Sequence, residues 1–348
     1  VWLLATRTFP YHSLNHDEGV YLQQAAMLLE GQLFIRPPVE ESFRPWFFVD
    51  DGDRLYPKYA PVPAAIFALG NLAGGYRLAL AGVAAATLAL VALIVREVFD
   101  RRTAIAAAVI MLCSPLFLIE SAVFLPYAPT TMLNLAFAYG YLRADRTGDW
   151  RFAGAAGAAI GLAFFARPYT AVLFATPFIA HACWTLVQEP RVALPRQLTT
   201  AVFGLTGVGL ALAYNATVTG SPLVFPYEAF APLDGLGFGQ RRILNHEIDY
   251  TIELALRANA RVLAQFVTDW IAGGILGAAV AAVGVGVTIR RGLSPREAIL
   301  AGLLVTVPVG NVYFWGNFNI LGDLERAGDG LIATHGPYYH FDLLVPVA

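Results

Sequence analysis

The sequence predicts an all-α fold, a polytopic membrane helix bundle with an extracytoplasmic first loop that contains interfacial helices. Of its 348 residues, 57% are hydrophobic and only 14% are charged, whereas soluble domains carry about 25% charged residues. Apolar stretches near the roughly 20 residues that cross a bilayer recur along the chain. The connections between them are alternately rich in arginine. The formal net charge of −2 gives no indication of nucleic-acid binding.

The apolar stretches predict eight complete spans and parts of two others. Residues 1–6 have the composition of the end of a hydrophobic helix, and another helix begins near residue 341, so we expect 1–348 to be a single transmembrane domain truncated at both ends. The complete spans are expected near 77–95, 103–120, 122–142, 152–166, 168–187, 199–218, 267–289 and 297–314.

The basic connections predict the orientation of these spans. By the positive-inside rule, arginine-rich connections face the cytoplasm. The other connections then face outward, and two of them are long, 7–76 and 219–266. The first long loop has helical periodicity at 17–30 and again at 60–73, which predicts two short helices along the membrane interface. The arginines are Arg96, Arg101 and Arg102; Arg143, Arg146 and Arg151; Arg191 and Arg196; and Arg290, Arg291 and Arg296.

Three acidic residues are candidates for chemistry on the outer side. Asp17 and Glu18 come just before a helical pattern, where they either cap the helix N-terminus or act on a substrate. Glu120 interrupts an apolar run at the outer end of its predicted span. An acid in such a place needs water, a cation or a donor, so it is either a solvated interfacial residue or part of a site.

Four cations lie in the same outer segments. Lys58 lies among aromatic residues and prolines, and Arg167 follows the end of the 152–166 span. Both suit phosphate binding, and both could instead reach the lipid headgroups. Arg241 and Arg242 follow the glycines of the second long loop and form either an anion clamp or a solvated pair.

The two cysteines, Cys113 and Cys183, lie inside apolar runs. This position predicts small core residues rather than a disulfide or a metal site.

Five short motifs together resemble one family. The sequence is similar to the polytopic, C-type-fold glycosyltransferases that use polyprenyl-phosphate sugars, the superfamily of the protein O-mannosyltransferases and the bacterial lipid A aminoarabinose transferases. It departs from them at Tyr338, where these relatives often have arginine. The motifs are the acidic pair Asp17 and Glu18 with Tyr21, and segments 55–61, 166–170, 219–227 and 336–342.

The resemblance implies an inverting sugar transfer on the outer membrane face. Asp17 matches the acid that serves as general base or positions the acceptor, and Glu18 accompanies it. Lys58 matches the lysine that contacts the lipid-linked phosphate, and Glu120 matches an acid at the outer end of the third helix. The other expected site residues are Arg167, Tyr339 and His335 at the donor phosphate, and Tyr21, Tyr59, Arg241 and Arg242 at the substrate.

The expected donor is a polyprenyl-phosphate-linked sugar, and the acceptor a lipid, glycan or protein; membrane lipids surround the bundle. A divalent cation, Mg²⁺ or Mn²⁺, could bridge the phosphate and an acid, although the sequence has no dedicated ligand set. We expect the plasma membrane of a bacterium or archaeon, with the site facing outside. The main alternative is a secondary transporter or flippase for an amphiphile, and a third is a non-catalytic membrane assembly subunit.

Overall fold

The computed structural model describes residues 1–36, 45–52, 54–322 and 330–348. It confirms the helical fold class and adds two small antiparallel hairpins, β1–β2 and β3–β4. The strands are β1 (Phe48–Asp50), β2 (Leu55–Pro57), β3 (Gly239–Ile243) and β4 (His246–Tyr250). The helices are α1 (Asp17–Leu29), α2 (Pro61–Leu72), α3 (Tyr76–Val98), α4 (Arg101–Leu112), α5 (Pro115–Glu120), α6 (Tyr127–Thr147), α7 (Trp150–Ala166), α8 (Pro168–Gln188), α9 (Pro190–Thr219), α10 (Pro226–Phe230), α11 (Ile252–Gln265), α12 (Gly274–Arg290), α13 (Pro295–Val312), α14 (Gly316–Asn319), α15 (Ile332–His335) and α16 (Leu344–Val347).

Both helices expected in the first long loop are present as α1 and α2. They pack on each other through Tyr21, Ala25 and Phe67, which are all buried. Two prolines in the first turn of α2 fix its start, because proline is pre-organised for the first helical positions.

Three helices are individually long and apolar enough to cross a membrane: α3, α8 and α9. The bent pair of 252–270 and 274–290 makes a fourth if it is one span, although its two parts meet at 104°. The bend lies at Gly273 and Gly274, which have φ angles of 75° and 54°. By these criteria the described residues contain fewer complete spans than the sequence predicted.

The remaining predicted spans fall short for identifiable reasons. Segment 103–120 is two helices, because Ser114 and Pro115 begin a new helix where α4 ends. Helix α7 has only 17 residues, whereas α6 and α13, the latter within the predicted 297–314 span, are long enough but not apolar enough. Most of α6 is buried among its neighbours, and a helix surrounded by protein does not need a uniformly apolar surface.

Small residues bring α7 and α9 into close contact. A side chain at Gly207 would overlap the backbone of Gly161, so the two helices touch at their main chains, as small-residue packing in membranes allows.

The prediction that both cysteines are core residues is wrong. Cys113 and Cys183 are free and exposed on the surface of the helices. Apolar runs in a membrane protein can face outward, since lipid is as apolar as the protein interior.

Candidate active site

A cavity of about 380 Å³ lies at one end of the helix bundle. Its wall comes from segments far apart in the sequence, and the sequence analysis placed them all on one side of the membrane. They are the start of α1, the segment between β2 and α2, the α7–α8 junction, the loop before β3, and the segment after α15. The predicted residues that line the cavity are Asp17, Tyr21, Lys58, Tyr59, Arg167 and Tyr339.

Asp17 is the first residue of α1 and lines this cavity. Its backbone N–H donates to Oδ1 of Asn15 at 3.0 Å, a local turn of the type that asparagine favours before a helix. Burial raises the pKa of the Asp17 carboxyl, and Lys58, Tyr59, His16 and Arg167 oppose that shift. Among the described residues it forms no salt bridge. A partly desolvated carboxylate with a raised pKa is a stronger base than an ordinary aspartate.

Lys58 follows the β1–β2 hairpin and is only 3% exposed. Its backbone N–H donates to the carbonyl of Phe47 at 3.0 Å, and its Nζ lies 4.2 Å from the centre of the Phe47 ring. Nζ is also 3.5 Å from Oδ2 of Asp234, whose Oδ1 accepts a hydrogen bond from Nε1 of Trp315 at 3.0 Å. The ammonium is therefore held in place by one carboxylate and aromatic rings.

Arg167 separates α7 from α8 in an extended conformation, with φ −151° and ψ 89°. The following residue is Pro168, and a residue before proline avoids the helical region. The guanidinium carbon lies 4.2 Å from the ring centre of Tyr127 and 5.4 Å from that of Tyr339. Within the described part of the chain Arg167 forms no salt bridge, and its charge is stabilised by aromatic faces, a hydrogen bond with Tyr127 and the nearby carboxyl groups of Asp17 and Glu120.

Aromatic side chains form most of the remaining wall. Tyr21 and Tyr59 stack with ring centres 4.8 Å apart, and the Tyr59 hydroxyl is within hydrogen-bonding reach of Asp17. Tyr338 and Tyr339 reach the cavity because the chain turns at Gly336, which has φ +74°. A side chain there would overlap Leu116 and Trp270, so the turn requires glycine.

Glu18 and His335 lie beside the cavity but do not line it. Glu18 is 1% exposed; it accepts hydrogen bonds from the Ser13 backbone at 2.6 Å and the Phe124 backbone at 2.8 Å. The Ser13 hydroxyl also contacts Glu18, and it bonds Nε2 of His335 at 2.7 Å. These contacts join three distant loops.

Glu120 is completely buried outside the cavity wall. Neither of its oxygens has a hydrogen-bond partner among the described residues, and its electrostatic neighbours are Glu18 and Arg167. The structure thus places Glu120 near Arg167 but outside the wall of the cavity.

Arg241 and Arg242 do not line the cavity either. Arg241 donates to the carbonyls of Leu236, Gly237 and Phe238 at 2.7 to 3.0 Å and so shapes the loop before β3. Arg242 is exposed on the hairpin.

The divalent cation remains a prediction. The described residues contain no group of three or more His, Cys, Asp or Glu side chains that could hold a metal ion. We therefore derive no step through a metal.

Sequence reasoning missed two residues of the site. Asp234 pairs with Lys58 across 176 positions of the chain, and nothing in its loop signals this. Tyr127 starts α6, and its ring faces Arg167; as one aromatic residue among many in apolar segments, it has no distinguishing pattern.

Comparisons with known proteins agree with this architecture. Residues 60–219 match the family model described as dolichyl-phosphate-mannose-protein mannosyltransferase. That segment contains Glu120, Tyr127 and Arg167, whereas Asp17 and Lys58 precede it. The search of curated proteins gave no significant match.

Two solved structures have the same fold. ArnT from Cupriavidus metallidurans bound to undecaprenyl phosphate superposes with a TM-score of 0.62 at 12% identity, covering 99% of this chain and 56% of that one. The apo state of the same protein gives 0.57 at 14% identity, covering 99% and 57%. The chain thus spans little more than half the length of the structures it matches. As far as the fold goes, the comparisons bear out the resemblance found in the motifs: the chain is an integral membrane protein with the fold of ArnT.

Proposed function

We propose that this chain is the membrane domain of a glycosyltransferase, which moves a sugar from a polyprenyl-phosphate donor to an acceptor hydroxyl with inversion. The family match over 60–219 and the fold of ArnT support glycosyl transfer from a lipid-linked donor. The observation that carries the finer proposal is the meeting of Asp17, Lys58 and Arg167 at one aromatic cavity.

The two cations suit the phosphate of the donor. When the bond between the anomeric carbon and the phosphate oxygen breaks, negative charge grows on the leaving phosphate. A guanidinium without a carboxylate partner and an ammonium enclosed by rings stabilise that charge where water is scarce. Tyr339 lies in the same wall, against Arg167.

The carboxylate suits the acceptor. Asp17 takes the proton of the acceptor hydroxyl while the hydroxyl oxygen forms its bond to the anomeric carbon. The bond between that carbon and the phosphate oxygen breaks, and the polyprenyl phosphate departs with its electron pair. General-base assistance of this kind contributes about 10²- to 10⁴-fold in rate. A single displacement inverts the anomeric configuration, and it needs no covalent sugar–enzyme intermediate.

The membrane position suits the lipid tail of the donor. The α7–α8 junction that carries Arg167 lies at an end of the apolar helix α8. The cavity is therefore at the level of the membrane surface, where the phosphate of a polyprenyl phosphate lies while its tail stays in the bilayer. The arginine-rich connections at the opposite end favour an outward-facing site. An acceptor lipid, glycan or protein would then approach from the extracytoplasmic water.

Asp17→Asn tests this function. The substitution keeps the side-chain shape and removes the base, so we expect release of undecaprenyl phosphate from undecaprenyl-phosphate-linked mannose or aminoarabinose to fall about 10²- to 10⁴-fold. Binding of undecaprenyl phosphate to the purified protein should persist. Asp249→Asn, at an exposed position of the β3–β4 hairpin, is the matched control and should retain full activity.

Retention of transfer by Asp17→Asn within about threefold of the parent would contradict the assignment of the base. Transport of the labelled lipid across vesicle membranes that is unaffected by Asp17→Asn, with no release of undecaprenyl phosphate, would favour the transporter alternative instead.

A further inference from the structure

A second cavity, of about 510 Å³, lies at the opposite end of the same helices. The candidate active site is lined from the starts of α6 and α8 and the end of α13. The second cavity is lined from the end of α6, the end of α8 and the start of α13. Because α8 is long and apolar enough to cross a bilayer, the two cavities belong to opposite membrane surfaces. None of the residues assigned to the proposed transfer lies in the second one.

Two arginines and one aspartate dominate its polar wall. Asp145 bonds Nη2 of Arg196 at 2.9 Å and Nη2 of Arg296 at 3.1 Å. Each guanidinium has five N–H donors, and one carboxylate cannot satisfy them all. Nε of Arg196 is buried and has no acceptor in the described ranges, and its side chain is only 10% exposed. Nη1 of Arg296 has no acceptor among the described residues.

A third donor faces the same space. His181 is 8% exposed, and its Nδ1 lies 2.8 Å from the hydroxyl of Tyr141. That hydroxyl accepts from Nε2 of Gln197 at 3.3 Å, so its own proton is directed to Nδ1. The tautomer that this network assigns carries its hydrogen on Nε2, which has no partner in the described part of the chain. The cavity therefore presents donors from His181, Arg196 and Arg296.

Carboxylates oppose this charge only in part. Asp145 is already shared by both arginines, and Glu189 is exposed at the rim, where water screens it. The N-terminus of α13 also lies here and already holds a carboxylate. Ser294 and Glu297 form a capping box, in which Glu297 accepts from the Ser294 backbone at 2.8 Å and pairs with Arg291.

The rim of this cavity is apolar and open. Trp184 is 48% exposed and Val192 is 63% exposed; both line the cavity. Tryptophan is enriched at the level of lipid headgroups, and basic pockets between helices at a membrane surface are typical of anionic headgroup sites.

From these observations we propose that the second cavity binds the phosphate group of a membrane lipid, with Arg196, Arg296 and His181 on the phosphate and Trp184 and Val192 beside the acyl chains. A lipid headgroup and a soluble phosphate ester would present the same chemical group to these side chains. The apolar rim favours the lipid over the soluble phosphate. Bound there, the lipid ties together the ends of α6, α8, α9 and α13.

Lipid binding to the purified chain in neutral detergent tests the proposal, with dioleoylphosphatidylglycerol as the probe and dioleoylglycerol as the phosphate-free control. Native mass spectrometry should show one tightly held phosphatidylglycerol on the parent. Arg296→Gln keeps the Arg196–Asp145 pair and should weaken that binding about tenfold. Thr185→Trp fills the cavity without changing its charge and should abolish it. Arg191→Gln, an exposed cation at the same end but outside the cavity, should bind as the parent does.

Equal retention of phosphatidylglycerol by all four proteins would overturn the site, because it would show only lipid around the bundle. Equal retention of dioleoylglycerol would overturn the role of the phosphate. Displacement of the lipid by glycerol 3-phosphate at equal concentration would overturn the lipid assignment in favour of a soluble phosphate. Thermal unfolding of each variant without added lipid shows whether it is folded, and the two substitutions perturb the cavity by different means, so either one decides the test.

Discussion

The two ends of the helix bundle treat charge in opposite ways. At the candidate active site, Arg167 is stabilised by tyrosine rings and Asp17 forms no salt bridge among the described residues. At the other end, Asp145 is bonded to two arginines. Helices α6, α8 and α13 contribute to both cavities, so these helices alone do not explain the difference. A charge without an ion-pair partner is available to a reacting ligand. The ion pairs of Asp145 instead join α6 to α9 and α13, and they leave only some N–H groups of the two arginines free.

The contrast also separates two kinds of cation at the candidate site. Lys58 is balanced by Asp234 at 3.5 Å, and its surroundings fix its position. Arg167 forms no salt bridge within the part of the chain that the structure describes, although Asp17 and Glu120 lie near enough to act on it electrostatically. We therefore expect Arg167 to respond most strongly to the arrival of an anionic donor, and its loss to have the largest effect on function.

Arg167→Gln should lower kcat/KM for release of undecaprenyl phosphate about 100-fold, because a charge-assisted contact to the leaving phosphate is lost in a water-poor site. About 100-fold corresponds to roughly 2.7 kcal/mol of transition-state stabilisation. Arg191→Gln, the control at an exposed position of the opposite end, should change kcat/KM less than threefold. Equal losses in the two variants would break the comparison, since they would indicate a general effect of removing positive charge.

The fold was largely predictable from the sequence because lipid imposes strong rules. Apolar length, alternating basic connections and prolines at helix starts locate α3, α8 and α9, and also α1 and α2. The breaks were less predictable. The bend at Gly273 and Gly274 depends on what packs against it, and glycine-rich apolar segments read equally well as continuous spans.

The site was predictable in its main charges and not in their partners. Asp17, Lys58 and Arg167 stood out because a charge beside an apolar stretch is costly without a purpose. Glu18 had the same signal but bonds the backbones of Ser13 and Phe124. Asp234 was invisible, because its pairing with Lys58 exists only after the chain has folded.

Neutralising one aspartate at each end should have opposite effects on stability. Asp145→Asn leaves Arg196 and Arg296 with a weaker partner in a largely buried position, so we expect a loss of about 2 kcal/mol in the free energy of unfolding. Asp17→Asn should raise stability at pH 7. Burial raises the pKa of Asp17, so the stability linked to its protonated form is present at acid pH and is lost as the pH rises through that pKa.

Thermal unfolding in detergent at pH 7 and at pH 5 measures both effects. The gain from Asp17→Asn should shrink as the pH is lowered toward the raised pKa of the parent carboxyl. A loss of stability in Asp17→Asn equal to that in Asp145→Asn would show that Asp17 is a structural residue, and the contrast between the two ends would disappear.

The smallest expected effect is on the pH dependence of stability, and it comes from a buried histidine beside the candidate site. Burial lowers the pKa of His335 to about 4, and the ring bonds Ser13 while neutral. The unfolded chain takes up the proton first, near pH 6.5, so stability should fall as the pH drops from about 6.5 toward 4, by at most about 1.4 kcal/mol per pH unit. His335→Gln should flatten this slope, whereas His246→Gln, at an exposed position, should not.

The slope should steepen in Asp17→Asn, because this variant lacks the carboxyl whose protonation stabilises the folded chain on acidification. An unchanged slope in His335→Gln would mean that the acid sensitivity of this end of the bundle comes from another group.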